Sequence, residues 1–144
     1  MDIRQAKPPE AHDTLVRHPD AVYLDVRTEE EFAAGHPAGA RNVPVVLFDP
    51  AHRPTPNPEF VAVVERHFPR TTKLVVGCQA GGRSQHACEL LAQAGYGDLT
   101  NVQGGYGGAR DASGRVVIPG WRDAGLPVDT TPAPGASYGD LRSK

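Results

Sequence analysis

Residues 75–91 read Val-Val-Gly-Cys-Gln-Ala-Gly-Gly-Arg-Ser-Gln-His-Ala-Cys-Glu-Leu-Leu, and the fold and the site are both organised around them. Residues 74–76 are an apolar, β-branched run, which predicts a short buried strand. Further on, four apolar residues recur at the spacing of one helix face: Ala87, Leu90, Leu91 and Ala94. Gly95 is a natural end for that helix. The stretch therefore predicts a strand, a tight loop from Cys78 to Arg83, and a helix.

A loop between a strand and a helix N-terminus directs backbone N–H groups and the positive end of the helix dipole at one point. Cys78 stands at the start of this loop and Arg83 closes it. A helix N-terminus and a nearby cation favour the thiolate form of cysteine, which is the nucleophilic form. The loop thus predicts an activated nucleophile facing an anion site. The alternative is a buried structural cysteine beside an ordinary glycine turn.

Three segments of the chain resemble one family. Residues 78–84, Cys-Gln-Ala-Gly-Gly-Arg-Ser, are similar to the active-site loop of the rhodanese family of sulfurtransferases. Asp-Val-Arg with a downstream Glu-Phe (residues 25–32) and Gly-His…Gly-Ala…Asn-Val-Pro (residues 35–44) match the family in the expected order. The resemblance extends over roughly residues 8–129.

This resemblance implies an α/β, rhodanese-like fold with a central, mostly parallel sheet of about five strands and helices on both faces. The chain itself predicts inner strands at residues 21–26, 74–76 and 99–102, which are apolar runs. Its predicted helices cover residues 10–17, 28–34, 59–68 and the segment after Arg83. Residues 47–58 are too rich in proline for a helix or an inner strand.

We expect one rhodanese-like domain over residues 1–129. Residues 130–144 are rich in Pro, Gly, Ser and Thr and have little to bury, so we predict a flexible C-terminal tail.

The resemblance also implies a reaction. Cys78 would attack the outer sulfur of a small anionic sulfur donor such as thiosulfate and become a persulfide, which a thiol or cyanide acceptor would then discharge. The predicted substrate-binding residues are those of the loop: Gln79, Ala80, Gly81, Gly82, Arg83 and Ser84. Many thiosulfate-using relatives place a basic residue where this chain has Gln79, which weakens the case for thiosulfate as the preferred donor.

Two loop side chains have alternative roles. Arg83 would add positive charge for the anion that the backbone N–H groups hold, or its guanidinium would point outward or brace the loop. Ser84 would hydrogen-bond the thiolate or cap the helix.

Two other classes of function stay open. A non-catalytic relay or regulatory module would carry persulfide for a partner, such as a thioredoxin-like or other sulfur-accepting protein. A phosphatase or arsenate reductase would use the same loop, but four residues separate Cys78 from Arg83, whereas related phosphatases have a wider loop with one residue more. For the reductase the question is whether Cys88 acts as a resolving thiol. We interpret Cys88 as a small buried apolar residue.

Composition narrows the partners and the compartment. Fifteen basic and 17 acidic residues give a net charge of −2 without a basic cluster, which argues against general nucleic-acid binding. No apolar run approaches the length of a membrane span, and residues 1–9 lack an apolar signal core. We therefore expect a cytoplasmic protein with thiols and not a disulfide. No metal-ligand spacing is visible, and we expect neither a metal nor a cofactor.

Residues 107–120 are an insertion relative to the family pattern. They displace the family-like ending Trp-Arg-Asp-Ala-Gly-Leu-Pro-Val, residues 121–128, and Ser113-Gly114 predicts a small hairpin within them. Loops at the carboxyl ends of parallel strands gather around the ligand site. We hypothesise that the insertion selects the sulfur acceptor or donor; the alternative is a neutral surface elaboration. Deleting residues 108–119 and comparing substrate profiles separates the two.

The remaining polar residues near the motifs are interpreted mainly as structural. His36 is predicted to be a turn histidine that hydrogen-bonds backbone, with a proton donor as the alternative. Asp25 and Arg27 are predicted to bond to each other or to nearby loops and to set the architecture beside the site, with the positioning of a partner or substrate as the alternative. His86 is expected on the exposed face of its helix.

Overall fold

The computed structural model describes residues 3–144, so Met1 and Asp2 of the predicted domain lie outside the described residues. The strands are β1 (Ile3–Ala6), β2 (Val22–Asp25), β3 (His36–Pro37), β4 (Arg41–Asn42), β5 (Val46–Phe48), β6 (Pro54–Pro56), β7 (Leu74–Gly77), β8 (Leu99–Val102), β9 (Ala109–Arg110), β10 (Val116–Ile118) and β11 (Val128–Asp129). The helices are α1 (Pro8–Arg17), α2 (Glu29–Ala34), α3 (Phe60–His67), α4 (Gly82–Gln93) and α5 (Tyr138–Ser143).

Five strands form the central sheet, in the order β1-β8-β7-β2-β4, and every pairing in it is parallel. β2, β7 and β8 occupy the inner positions, and these are the strands that the three apolar runs predicted. All four residues of β7 and of β8 are buried. The predicted parallel sheet of about five strands is confirmed.

Successive residues of each inner strand point to opposite faces of the sheet. One face carries Leu24, Leu74, Val76 and Leu99, which belong to a core shared with α3, α4 and α5. The other face carries Tyr23, Val75 and Val102, which pack with α1, α2 and Trp121. Helices therefore cover both faces, as the resemblance implied.

The helix that follows β2 begins with the predicted capping box. The Thr28 hydroxyl accepts a hydrogen bond from the Glu31 N–H at 3.2 Å, and the Glu31 carboxylate accepts one from the Thr28 N–H at 3.1 Å. Gly35 ends the helix with φ of 152°. This short helix places Glu31 and Gly35 at the carboxyl edge of the sheet, where the site lies.

Two parts of the fold were not predicted from the sequence, an edge strand and a small ribbon. β1 pairs with β8 at the sheet edge, and its middle residues, Arg4 and Gln5, are exposed. β5 and β6 form a separate antiparallel ribbon inside the proline-rich segment, and all of β6 is exposed. The segment forms neither a helix nor an inner strand, as predicted.

The prediction of a flexible tail over residues 130–144 is wrong. Tyr138 and Leu141 are 5% and 2% exposed and pack into the core as one face of α5. The Ala136 carbonyl accepts a hydrogen bond from the Asn42 N–H at 2.8 Å, which ties the segment to β4. Low overall hydrophobicity concealed a pair of large side chains at helical spacing, and such a pair is sufficient to dock one helical turn.

Across residues 3–144, none of the helices combines the length and the hydrophobicity that crossing a membrane requires.

Candidate active site

Cys78 directly follows β7 at the carboxyl edge of the sheet, and its side chain is 2% exposed. The carbonyl groups of Cys78 and Gln79 accept hydrogen bonds from the N–H groups of Tyr106 and Gly107, at 2.8 and 2.9 Å. Gly105 allows this approach, because a Cβ atom there would lie 2.3 Å from the Cys78 carbonyl oxygen. The segment after β8 thus fixes the nucleophile loop from one side.

The sulfur of Cys78 lies at the N-terminus of α4. The Gly81 N–H donates a hydrogen bond to Sγ at 3.1 Å, and Gly81 itself is the N-cap, with φ of 117°. The Ser84 hydroxyl lies 3.4 Å from the same sulfur. Hydrogen-bond donors and the positive end of a helix dipole stabilise an anionic sulfur. The loop therefore has the geometry that an activated thiolate requires.

Ser84 connects the sulfur to a chain of side-chain amides that runs from buried Asn101 out to exposed Gln5 and half-buried Gln85. The fully buried Ser84 hydroxyl also lies 3.1 Å from the Gly81 carbonyl oxygen and forms a short hydrogen bond with the Asn101 side-chain oxygen, so its single proton is shared among these acceptors and the sulfur. The Asn101 amide donates to the Gln5 side chain at 2.9 Å, and the Gln5 amide donates to that of Gln85 at 2.7 Å. Of the two roles predicted for Ser84, contact with the sulfur is the one that this geometry favours, because α4 has no side-chain N-cap.

Arg83 is held by a carboxylate. Its two terminal nitrogens donate to the two carboxylate oxygens of Glu31 at 2.8 and 3.1 Å. A bidentate pair of this kind has a fixed orientation. It corresponds to the bracing role that the sequence left open for Arg83.

The same pair changes the acidity of Glu31. Partial burial raises the pKa of Glu31, but hydrogen bonds from Arg83 and Thr28 outweigh burial and lower the pKa from 4.5 to about 2. Glu31 is therefore ionised at neutral pH and neutralises much of the positive charge of Arg83.

Arg27 and Asp25 form a buried ion pair next to the loop, as predicted. The guanidinium donates to both Asp25 oxygens, at 2.8 Å for the shortest bond, and both side chains are at most 3% exposed. Arg27 also donates to the Gly35 carbonyl at 2.7 Å and to the Gln79 side-chain oxygen at 3.3 Å. Arg27 is thus connected to the loop residue that follows the nucleophile.

Comparisons with known proteins identify the family of this chain. The family model described as "Rhodanese-like domain" matches residues 8–112. The chain belongs to the rhodanese-like domain family.

Among relatives, "Thiosulfate sulfurtransferase 16, chloroplastic" of Arabidopsis thaliana is 44% identical over 96 residues, which are 67% of this chain and 78% of that protein. "Protein HIGH ARSENIC CONTENT 1, mitochondrial" of Arabidopsis thaliana is 37% identical over 110 residues, or 76% of this chain and 57% of that protein. Among solved structures, Rv0390 from M. tuberculosis is similar with a TM-score of 0.74 and 30% identity, covering 90% of this chain and 99% of that one.

Within this rhodanese-like domain, the loop residues predicted to bind substrate are brought together around the sulfur. Gln79, Ala80 and Gly82 are exposed, Gly81 and Arg83 are half-buried, and Ser84 is buried. The loop surface is thus largely exposed, while Cys78 itself is buried.

Cys88 lies on α4 and is free and fully buried. Burial raises its pKa to about 12. It packs among core side chains, which agrees with its interpretation as a small apolar residue.

The two histidines discussed above lie as the sequence suggested. His36 is 1% exposed; its Nδ1 lies 2.7 Å from the Phe32 carbonyl oxygen, and its ring stacks on that of Phe32. It is a structural turn histidine. The side chain of His86 is 59% exposed. Among the described residues, no group of three or more His, Cys, Asp or Glu side chains is arranged to hold a metal ion.

The insertion forms the predicted hairpin, with β9 paired antiparallel to β10. Its two ends are joined at the site, because the Trp121 N–H donates to the Gly105 carbonyl at 2.8 Å and the Arg122 N–H donates to the Tyr106 carbonyl at 3.2 Å. Gly120 allows this closure, since a Cβ atom there would lie 2.3 Å from the Gly108 nitrogen. The chain on the two sides of the insertion is therefore joined by backbone hydrogen bonds.

Sequence reasoning missed three residues of the site: Glu31, Asn101 and Tyr106. Glu31 was recognised only as part of a capping box, and Tyr106 only as part of a turn. Asn101 is a polar residue within a buried strand, 4% exposed. A buried amide requires hydrogen-bond partners, and this was the signal that could have identified it.

Proposed function

We propose that this protein is a sulfurtransferase that carries a sulfane sulfur on Cys78, from a donor such as thiosulfate to a thiol or cyanide acceptor. The observation that carries the proposal is the position of Cys78 Sγ, which faces the Gly81 N–H at 3.1 Å and the Ser84 hydroxyl at 3.4 Å. Membership of the rhodanese-like domain family and the name of a relative, a thiosulfate sulfurtransferase, support sulfurtransferase activity in general.

In the first step, the Cys78 thiolate attacks the outer sulfur of thiosulfate. A bond forms between Sγ and that sulfur, the sulfur–sulfur bond of thiosulfate breaks, and its electron pair leaves with sulfite. Cys78 becomes a persulfide anion, and the charge balances because thiosulfate and sulfite are both dianions. The donors that face Sγ would stabilise the negative charge that passes through this site.

In the second step, an acceptor thiolate attacks the outer sulfur of the persulfide. The new bond joins the two sulfurs, the bond to Sγ breaks, and Cys78 leaves as a thiolate that the Gly81 N–H and the Ser84 hydroxyl stabilise. With cyanide as the acceptor, the same step yields thiocyanate. The nucleophile returns to its starting state without an external reductant.

The loop side chains would have distinct supporting roles. The Arg83–Glu31 pair, with both contacts at most 3.1 Å, would hold the loop in shape and would add little net charge. Gln79 directs its side-chain oxygen at Arg27, so the guanidinium nearest this loop position comes from a neighbouring segment. Backbone N–H groups would thus be the main ligands of an anionic donor.

A relay module is the alternative within the same chemistry. It would pass the persulfide to a sulfur-accepting protein, such as a thioredoxin-like partner, with slow turnover on small thiols. A cytoplasmic location also stays a prediction from the sequence.

An arsenic-related reaction is a second candidate, because one relative is named for arsenic content. A reductase mechanism that resolves an intermediate on Cys78 needs a second thiol. Cys88 is fully buried and its raised pKa, about 12, leaves little thiolate at neutral pH, so an external thiol would have to act instead. A phosphatase is disfavoured by the loop, in which four residues separate Cys78 from Arg83.

The test of the proposal is the intact mass of the protein after brief incubation with thiosulfate. We expect the wild type to gain the mass of one sulfur, and cyanide to remove it with release of thiocyanate. Cys78→Ser should gain nothing, and Cys88→Ala should gain the sulfur as the wild type does.

Turnover with added thiols then separates an enzyme from a relay. Absence of the adduct with thiosulfate, mercaptopyruvate and polysulfide alike would contradict the proposal. Arsenate consumption in the presence of glutathione, lost in Cys78→Ser, would then support the arsenic-related candidate.

A further inference from the structure

An open cavity of about 680 Å³ lies beside the nucleophile loop. Its lining includes Gln79 of the loop, Gly35 at the end of α2, and Tyr106 and Arg122 from the segment on either side of the insertion. The volume is within the range of small-molecule sites, roughly 300–1,000 Å³. Thiosulfate would fill only a small part of it, so the cavity has room for a larger second substrate.

Arg122 is held beside the loop by a series of backbone hydrogen bonds. The Tyr106 N–H donates to the Cys78 carbonyl at 2.8 Å, and the Tyr106 carbonyl accepts from the Arg122 N–H at 3.2 Å. The Arg122 guanidinium carbon lies over the Tyr106 ring, 5.7 Å from its centroid. The backbone of Arg122 is therefore held to the Cys78 loop through Tyr106, and not through the exposed hairpin.

Of the charged side chains that line the cavity, Arg122 is the cation best placed to bind an anionic ligand. Arg27 is paired with Asp25, and Glu31 is paired with Arg83. Arg122 has one acidic neighbour, Asp123 at 3.4 Å, and their side chains are 57% and 51% exposed. Ion pairs between side chains so exposed contribute little and exchange readily with a ligand.

We propose that Arg122, together with Tyr106, forms a subsite that binds the carboxylate of a small thiol acceptor. This inference rests on the proposed function, because it names the chemical class that discharges the Cys78 persulfide. The subsite holds the acceptor by its anionic tail, while its thiolate reaches the outer sulfur past Gln79. The guanidinium offers a planar, bidentate partner for a carboxylate.

The subsite acts on binding and leaves the chemistry unchanged. The acceptor thiolate forms a bond with the outer sulfur, the bond to Sγ breaks, and the outer sulfur keeps its negative charge. The products are an acceptor persulfide and the Cys78 thiolate. Arg122 takes no proton and no sulfur, so its loss raises the KM for a carboxylate-bearing thiol and leaves kcat nearly unchanged.

The first test compares Arg122→Gln with the wild type, using glutathione and uncharged 2-mercaptoethanol as acceptors. We expect the KM for glutathione to rise about tenfold, since one charge-assisted contact is lost. The KM for 2-mercaptoethanol and the rate of persulfide formation from thiosulfate should not change. Arg122→Lys should recover part of the glutathione effect. Arg17→Gln, which removes an exposed arginine of α1 that also pairs with an aspartate, is the matched control.

Equal KM changes for both thiols, or no change for glutathione, would overturn the subsite. A slower reaction with thiosulfate in Arg122→Gln would also overturn it, because the cation would then serve the donor.

The second test does not depend on sulfur transfer. Isothermal titration calorimetry with S-methylglutathione, which cannot react, should detect binding to Cys78→Ser and about tenfold weaker binding to Cys78→Ser carrying Arg122→Gln. Absence of binding to Cys78→Ser, or equal affinity in the two variants, would contradict the subsite. If neither thiosulfate nor polysulfide loads Cys78, the proposed function fails, while this binding test still decides the role of Arg122.

Discussion

Cys78 and Cys88 occupy one strand–loop–helix unit, and both side chains are almost completely buried, 2% and 0% exposed. Their surroundings differ. Cys78 faces the Gly81 N–H and the Ser84 hydroxyl at the N-terminus of α4, whereas Cys88 packs among core side chains two turns further along. Burial raises the pKa of Cys88 to about 12.

The comparison shows that burial does not decide the chemistry of a thiol in this fold. Burial without donors disfavours the thiolate, while donors and a helix N-terminus that face the sulfur favour it. The three predictions that follow test this difference, beginning with the largest expected effect.

The largest difference should be the reactivity of the two thiols toward iodoacetamide. At pH 7 we expect Cys78 to be alkylated at least about 1,000-fold faster than Cys88, because a thiol with a pKa of about 12 is about one part in 10⁵ thiolate. Peptide mass spectrometry after timed quenching measures both rates in one sample. In Cys78→Ser, the remaining thiol, Cys88, should react only after the protein is unfolded with guanidinium chloride. Comparable alkylation rates for the two thiols in the folded protein would show that their different surroundings do not change their reactivity.

A smaller effect should follow from removing the donors at Cys78. Ser84→Ala should slow alkylation of Cys78 at pH 7 about tenfold, since the sulfur loses its contact with the Ser84 hydroxyl. Asn101→Leu should have a weaker effect in the same direction, because Asn101 acts through Ser84. Timed alkylation at pH 7, followed by peptide mass spectrometry, measures the rate in each variant.

Ser143→Ala, a change at an exposed position of α5, is the control for that experiment and should leave the rate unchanged. An alkylation rate in Ser84→Ala equal to that of the wild type would show that Ser84 only fills space.

The smallest effect concerns the pair that braces the loop at Cys78. Because the pKa of Glu31 is about 2 in the folded protein against an ordinary 4.5, its carboxylate stabilises the folded state above pH 4.5 and loses this contribution as pH falls toward 2. The wild type should thus exceed Glu31→Gln by about 1 kcal/mol in free energy of unfolding at pH 7, after allowance for solvent screening. This gap should close between pH 4.5 and pH 2.

Urea unfolding at several pH values measures that gap. Glu30→Gln, at an exposed position of the same helix, should show no comparable pH dependence. A Glu31→Gln gap that does not vary with pH would mean that the pair with Arg83 does not form in solution.

The inner part of the fold could be predicted because its signals are local. β2, β7 and β8 are covered on both faces, so their residues form short apolar runs. The edges gave no such signal. β1 exposes Arg4 and Gln5, and α5 docks through only Tyr138 and Leu141, so these elements depend on a surface that the rest of the chain provides.

The site divides in the same way. Cys78, the glycines and the helix that begins after them are neighbours in sequence, so the residues alone predicted a nucleophile at Cys78 and the helix N-terminus behind it. The partner of Arg83 is Glu31, 52 positions away, and Ser84 meets Asn101 from a different strand. Which charged or polar groups meet depends on the strand order, because parallel strands bring distant loops to one edge of the sheet. For this reason the sequence by itself predicted the nucleophile, Cys78. Only the tertiary structure decided that Glu31 pairs with Arg83, that Asn101 contacts Ser84, and that Arg122 lies at the adjacent cavity.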